Sequence, residues 1–433
     1  MDLRGAWRAL WSRERKESRA GPLFALFGSG RPAATPRRYD KLAEEGFQKN
    51  AIVFRCVNLI SECAAAVPWT LFRRRGGARE RVELHPLLAL LDRPNPTQGG
   101  AAFFKAVYAF RLLSGNSYIE AVGPSDGPNA GRPRELWVLR PDRMQVIKGD
   151  NGQPAGFQFQ AGGRTVAWRV EPLSGLSPIL HSKSFHPLDD WYGMSPLEAA
   201  AFEVDQHNAA GMWNFSLLMN SGRPSGALVY KPGEGTHSDV LDGEQFARLQ
   251  TQIDDLVSGS DNAGRPLILE GGLDWRQISM SPTDLDWLKG RDLSARDIAL
   301  AYDVPPQLVG IEGSQTFANF EQARLSLYED AVLPLLDSYR DDFNRWLVSA
   351  FGEDLSLEFN EDAIPALAPR RRVVWDMVRR ADFLTVNEKR TTLGFTAIEG
   401  GDVFMASRPS DDPLGSNGTV VQETPAGSIR ADA

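Results

Sequence analysis

The side chains that could do chemistry are few. The chain holds 5 His and 2 Cys among 433 residues. Only His181 and His186, with Asp189 and Asp190, gather bases and acids in one short stretch. Their spacing fits neither an H-E-x-x-H helix nor a zinc ribbon, and His186 precedes a proline. A strand with imidazoles satisfied by solvent is the expected alternative. Cys56 and Cys63 share one helical pattern, which sets their Cα atoms about 10 Å apart, beyond disulfide reach. Neither has a base nearby in sequence, so both are expected as core residues of a protein made in a reducing compartment. The acids of Asp254-Asp255 and of Asp341-Asp342 are neighbours on predicted helices. Their carboxylates diverge by about 100°, poor geometry for a two-carboxylate site. The dipeptide Gly-Lys is absent, which removes a phosphate-cradling P-loop. The 11 Trp lack the regular spacing of a stacking platform. No catalytic residue, metal site or cofactor is expected.

The elements that carry these residues form an ordinary globular composition, with 42 % hydrophobic and 24 % charged residues. That excludes disorder throughout, and the length suggests roughly two or three packed units. No stretch approaches the roughly 20 apolar residues of a membrane span, so no membrane partner is expected. Residues 1–46 read as a basic, partly disordered arm. Its apolar patch Pro22 to Phe27 is too short and too late for a signal peptide, although Leu3, Trp7, Leu10 and Trp11 would allow one amphipathic turn.

From Phe47 to about Trp191 the pattern is mixed α+β. Helices are predicted over Phe47 to Ala66, His85 to Leu91 and Gly100 to Ser114, the last closed by Gly115-Asn116. Trp69 to Arg75 and Arg79 to Leu84 flank Gly76-Gly77, a hairpin signal. Short strands follow at Ser117 to Val122, Glu135 to Leu139, Met144 to Lys148, Phe157 to Gln160 and Thr165 to Val170. Ser195-Pro196 then starts a helix that runs unbroken to Asn220. A compact insert has strands at Ala227 to Tyr230, Pro266 to Leu269 and Leu273 to Met280, and a helix at Asp242 to Val257. A second long helix covers Pro282 to Tyr302 and stops at Pro305-Pro306. The longest helix, Asn319 to Phe351, carries Pro334 and its kink. A strand at Leu355 to Phe359 and helices near Pro369 to Arg380 and Val386 to Leu393 complete the ordered part. Residues 407–433 read as a disordered tail. Helix out, small insert, helix back is a stalk that buries little within one chain and expects neighbours, most simply copies of itself.

Charge is uneven beneath a net −8. Met1 to Lys41 has ten basic and four acidic residues, whereas Asp239 to Asp297 has twelve acidic and six basic. Glu321 to Asp362 has eleven acids against three bases, and Arg370 to Arg390 turns basic, seven against three. Solvated helix faces are the commoner meaning of such runs. The sharper meaning is a surface that stays near nucleic acid without gripping it, since a gripping surface is basic.

Several short segments together resemble the portal (head-to-tail connector) proteins of long-tailed bacteriophages and phage-like gene transfer agents. In the first half these are FRCVNLISE at Phe54–Glu62, RPNP at Arg93–Pro96, GNSY at Gly115–Tyr118 and LWVLRPDR at Leu136–Arg143. In the second half they are GMSPLEAA at Gly193–Ala200, GRPSG at Gly222–Gly226, LEGG at Leu269–Gly272, VPP at Val304–Pro306 and NFEQ at Asn319–Gln322. Each is weak alone; the ordered set is specific and spans roughly Phe47 to Val403. Ala318 departs from the pattern, which often has Ser before the Asn.

The resemblance implies an elongated, multi-part portal fold that assembles as a ring of twelve at a capsid vertex, with double-stranded DNA passing through its channel. Terminase, a head-to-tail adaptor and the major capsid protein are the implied partners. Residues 47–194 resemble the wing, 195–221 and 282–303 the stem helices, and 222–281 the clip. Residues 304–368 would hold the tunnel loop (Gly310 to Ala318), the long helix and a wing strand; 369–406 resemble the crown. Asp284, Asp286 and Asp292, with Ser314, Gln315, Thr316 and Phe317, are the candidate channel residues. Gly243, Gln245, Arg248, Gln252 and Asp255 of the clip are the candidates for adaptor and terminase binding. An acidic lining would keep passing DNA from sticking. The alternatives are a packaging enzyme, disfavoured by the missing P-loop and carboxylate cluster, and a shorter adaptor-type component without the long helix pair.

Overall fold

The computed structural model describes residues 35, 38–75, 78–124, 126, 129, 131–150, 152–172, 174–219, 226–230, 248, 273–277, 287–311, 317–352, 354–395 and 397–403. A short helix α1 (Tyr39–Leu42) runs into a π-helical segment, Ala43–Gln48. Asn50 then caps helix α2 (Ala51–Ala65), its side-chain oxygen accepting from the amides of Ile52 and Val53 at 3.0 and 3.2 Å. The α2 face carrying Val53, Cys56, Val57, Ile60 and Ala64 is buried at the spacing the sequence showed.

Strands β1 (Trp69–Arg75) and β2 (Ala78–Val82) form the expected hairpin, with Arg74 opposite Arg79. Helix α3 (Pro86–Asp92) and helix α4 (Gly100–Ser114) follow. Strands β3 (Asn116–Val122), β4 (Glu135–Leu139), β5 (Met144–Lys148), β6 (Pro154–Ala161), β7 (Arg164–Arg169) and β8 (Ile179–Lys183) complete the α+β part. Two antiparallel sheets result, ordered β4-β3-β8 and β5-β6-β7. A small second core of Tyr118, Met144, Val146, Phe157 and Ile179 forms between them.

The first long helix is not unbroken. Ser195 caps one turn, α5 (Pro196–Ala199), by accepting from the Glu198 amide at 3.0 Å. Ala200 has ψ 13°, outside the helical range, and helix α6 (Ala201–Met219) restarts after it. The first turn is seated by Leu197, which lies against Gly46 so closely that a Cβ there would come within 2.7 Å of its Cδ1. Strands β9 (Gly226–Tyr230) and β10 (Leu273–Gln277) pair antiparallel, and helix α7 (Trp287–Ala301) returns to pack on α6. The out-and-back order is therefore real. The expected helix Asp242 to Val257 and strand Pro266 to Leu269 lie outside the described residues, except for helical Arg248.

Helix α7 is stopped before the prolines. Asp303 takes φ +53°, and the Val304 amide turns back to the Ala299 carbonyl at 2.9 Å. The expected single long helix is three segments: α8 (Phe317–Ser326), a π-helical stretch Leu327–Val332, and α9 (Leu333–Trp346). Pro334 supplies no amide donor to the preceding turn, and the wider π register lies directly before it. Strand β11 (Leu355–Phe359) joins β1 to give a sheet ordered β11-β1-β2. Helices α10 (Ala368–Arg380) and α11 (Val386–Thr392) come last.

The main core is aromatic where α4, β1 and α9 meet. Tyr108 and Tyr339 lie 4.9 Å apart edge to face, and Trp69 meets Phe343 edge-on at 5.5 Å. At the C-terminal end of α4, Gly115 has φ +72° and its backbone crosses that of Gly193; a Cβ on Gly115 would come within 2.4 Å of the Gly193 oxygen. Asn116 closes this crossing. Its oxygen accepts from the Gly193 amide at 2.7 Å and from His181 Nε2 at 2.9 Å, and its nitrogen donates to the Ser114 and Gly193 carbonyls at 2.7 and 3.1 Å.

His181 is thus satisfied by Asn116 and not by solvent, a correction to the expected strand imidazole. Its ring stacks on Tyr118 at 4.4 Å. Burial, then the charges of Lys183 and Arg111, push its pKa down to about 3.

Two outcomes follow for stability. Asn116→Ala leaves the Gly193 amide and two carbonyls without their partner, and should cost at least about 3 kcal/mol in urea unfolding; a loss below about 1 kcal/mol contradicts this role. His181 has a folded pKa below its ordinary 6.5. Its neutral form therefore stabilises fully above that pH, and the contribution falls by about 1.4 kcal/mol per unit as pH drops below it. Between pH 7 and pH 5, His181→Gln should lose less stability than the wild type, by about 2 kcal/mol; parallel losses contradict the assignment.

Candidate functional site

The charge-bearing and exposed residues of the two long helices and the loops at their ends are where a function must be sought. Among the described residues no group of three or more His, Cys, Asp or Glu side chains could hold a metal ion. The acids next to the two histidines are used structurally. Asp189 accepts from the amides of Trp191 and Tyr192 at 2.7 and 3.1 Å, and the Asp190 carbonyl accepts from Lys183. His186 Nδ1 accepts from the Leu188 amide at 3.0 Å. Cys56 and Cys63 are free thiols, and burial pushes the Cys56 thiol up to about 12, far from a reactive thiolate.

Of the candidate channel residues, Asp292 is described. It lies exposed on α7. Phe317 opens helix α8 instead of lying in a loop. Asp284, Asp286, Ser314, Gln315 and Thr316 lie outside the described residues, as do Gly243, Gln245, Gln252 and Asp255 of the clip candidates. Arg248 is an exposed helical residue.

Helix α7 carries Lys289, Arg291 and Arg296 against Asp292 and Asp297. The expected helix Pro282 to Tyr302 also includes Asp284 and Asp286, which lie outside the described residues, so its acidic balance stays an expectation. Of the eleven acids in the second run, Glu321 to Asp362, four are matched by cations from elsewhere in the chain. Glu329 pairs with Arg370 at 3.0 Å, Glu358 with Arg79 at 2.8 Å, Asp354 with Arg73 at 3.0 Å and Asp362 with Arg371 at 3.2 Å. Within α9, Arg340 donates to Asp337 and, at 3.0 Å, to Asp341. Asp342 instead accepts from Ser182 Oγ at 2.6 Å and from Arg345 at 3.2 Å. The two neighbouring carboxylates diverge, as their helical spacing requires. This run is a set of exposed ion pairs holding elements together, each contributing little.

Apolar exposure is the more informative feature of the stem. Phe202, Met212 and Phe215 on α6, and Leu293 and Leu300 on α7, are 59 to 72 % exposed. Met212 and Phe215 share one helix face at i, i+3, and Leu293 and Leu300 share another at i, i+7. The opposite side of α7 buries Ala295, Ile298 and Ala299. Helices so placed are half-covered.

The base of the stem is clamped by residues that sequence reasoning left in the arm. The Thr35 amide donates to Asp205 Oδ2 at 2.8 Å. Asn208 donates to the Glu45 carbonyl at 2.8 Å, and the Asn50 side chain reaches Asn208 at 3.0 Å and His207 at 3.1 Å. The available signal was the apolar spacing of Tyr39, Leu42 and Phe47, short and masked by the surrounding charge.

The profile of the phage portal protein family matches residues 51–394. A Rickettsia bellii protein is 42 % identical over 358 residues, 83 % of this chain and 90 % of its own length. The probable portal protein of Streptomyces phage phiC31 is 26 % identical over 363 residues, 81 % of this chain and 75 % of its own. A chain in the neck of a native gene transfer agent particle, solved with C12 symmetry, is 42 % identical; the match covers 86 % of this chain and 97 % of that one, with a TM-score of 0.62. The match spans most of the chain, from the α+β body through the paired long helices to the last helices, and the chain belongs to the phage portal protein family.

Proposed function

We propose that this protein is the capsid portal of a phage-like particle: a ring at one vertex whose central channel passes double-stranded DNA during packaging and ejection. The observation that carries the reading is the pair of stem helices with large apolar side chains left exposed on a single subunit. Burying such a side chain gains about 1.5–3 kcal/mol, and a closed ring of copies buries it without leaving a free end. The twelvefold symmetry reported for the neck of the related particle makes twelve the expected number.

In this reading residues 47–194 are the wing, α6 and α7 the core of the stem (195–221 and 282–303), and 222–281 the clip. Residues 304–368 contain the tunnel loop, and 369–406 form the crown. Terminase and the adaptor would dock on the clip, through Gly243, Gln245, Arg248, Gln252 and Asp255, and the major capsid protein would surround the wing. Asp284, Asp286 and Asp292, with Ser314, Gln315, Thr316 and Phe317, would face the bore. The mixed charge of α7 suits a surface that neither grips nor strongly repels a duplex. The particle, and not a membrane, is the expected location, and the work is mechanical.

Phe202→Asp combined with Leu300→Asp should abolish ring formation, read by light scattering and negative-stain imaging. Both side chains are exposed, so the subunit's unfolding midpoint should move by no more than about 0.5 kcal/mol. Rings of unchanged size in the double variant contradict the stem as the assembly face. Asp292→Lys should keep the ring and slow DNA passage by adding a phosphate-binding cation to each subunit; an unchanged packaging rate removes Asp292 from the bore.

A further inference from the structure

The sequence RRRGGARER at Arg73–Arg81 has no part in the stem, clip or tunnel. It contains five Arg and one Glu. Strand pairing decides which of these share a face. Arg74 lies directly opposite Arg79, and Phe72 opposite Arg81, so Arg74, Arg79 and Arg81 project together from one side of the β1–β2 ribbon around Phe72. Arg79 lies over the Phe72 ring at 4.1 Å and pairs with Glu358 at 2.8 Å. Arg74, Arg75 and Arg81 are exposed, and among the described residues no carboxylate is paired with them. The register of β11 on β1 ends at Arg73, with one further bond from the Arg74 amide to the Asp354 carbonyl at 2.8 Å, so Arg74 and Arg75 stand at the end of the three-stranded part.

Protection of an edge strand from aggregation explains one or two charges on β2. It does not explain Arg74 opposite Arg79, because like charges directly opposed on a ladder destabilise it, whereas a Glu at either position would give a favourable pair. The arrangement concentrates positive potential on a narrow, apolar-backed ribbon, and such a ribbon is a shape that fits a duplex groove.

We propose that the β1–β2 ribbon is a contact for the phosphate backbone of double-stranded DNA, without sequence preference, with Arg74 and Arg81 on the Phe72 face and Arg75, projecting from the opposite face at the end of β1, as the contacting cations. The three side chains offer charge and forked donors to phosphate oxygens, which position a duplex but read no sequence. The ribbon belongs to the β11-β1-β2 sheet and not to the stem helices. A hold on DNA at this place is therefore compatible with a low-friction bore.

The test is binding of the full-length protein to a short mixed-sequence duplex, followed by fluorescence anisotropy as salt is raised. The triple variant Arg74→Gln, Arg75→Gln, Arg81→Gln is compared with a charge-matched control, Arg372→Gln, Arg379→Gln, Arg380→Gln on α10. The ribbon variant should bind at least tenfold more weakly at low salt. Its plot of log affinity against log salt should be shallower by about 3, roughly one per lost phosphate contact. The control should keep nearly the wild-type slope. Wild-type binding by the ribbon variant, or equal losses in both variants, overturns the proposal. Circular dichroism melts of both variants check that each is folded. Because the assay needs neither packaging nor a capsid, its failure leaves the portal assignment standing.

Discussion

The structure depends on one close approach, the crossing of the Gly115 and Gly193 backbones held by Asn116. Neither glycine can carry a side chain there, since an added Cβ would lie within 2.4 Å of the facing backbone. Gly193 stands two residues before the Ser195 cap, so the crossing fixes where the first long helix leaves the α+β body. Arg111 extends the same joint, donating to Ser184 Oγ at 2.9 Å and to Ser182 Oγ, which in turn donates to Asp342 on α9. Helix α4, strand β8 and helix α9 are thereby tied to the root of the stem. Satisfied buried hydrogen bonds make such a joint stiff.

Above that joint the stem is supported differently. Its inner side packs on the body through Ala295, Ile298 and Ala299, and the Thr35, Asn50 and Asn208 hydrogen bonds clamp its base. The large apolar residues on its other faces have no cover within the subunit. The net charge of −8 gives little guidance on its own. Four of the eleven acids of Glu321 to Asp362 form ion pairs with Arg73, Arg79, Arg370 and Arg371, and three more pair with Arg340 and Arg345 of the same run. What the charge pattern leaves over is the cationic ribbon of the β1–β2 hairpin.

Much of the fold was legible from periodicity and turn chemistry. Strands β4, β5 and β11 and helix α4 lie where alternation, helical spacing and the Gly115-Asn116 stop put them. The errors have physical causes. Ala199 and Ala200 keep helical propensity, so no local signal marks the break that the seating of Leu197 against Gly46 accompanies. Pro334 was visible, but a π-helical segment ahead of it is a compensation that propensity does not encode. The helical clamp from Tyr39 to Gln48 is too short to show a period and gains its stability from tertiary contacts. The candidate site was legible mainly through the family resemblance, because a channel built by many copies leaves no motif in one chain. Counting charge along a segment also ignores which acids find partners, as Glu329, Asp354, Glu358 and Asp362 do.

The central claim is that the stem helices are completed by neighbouring copies. Hydrogen–deuterium exchange on the subunit and on the assembled particle measures this most directly. The account predicts that α6 and α7 gain protection on assembly, strongest around Met212, Phe215, Leu293 and Leu300, while the Asn116 joint is already protected in the subunit. Assembly that leaves exchange in both stem helices unchanged and protects other elements instead would contradict it.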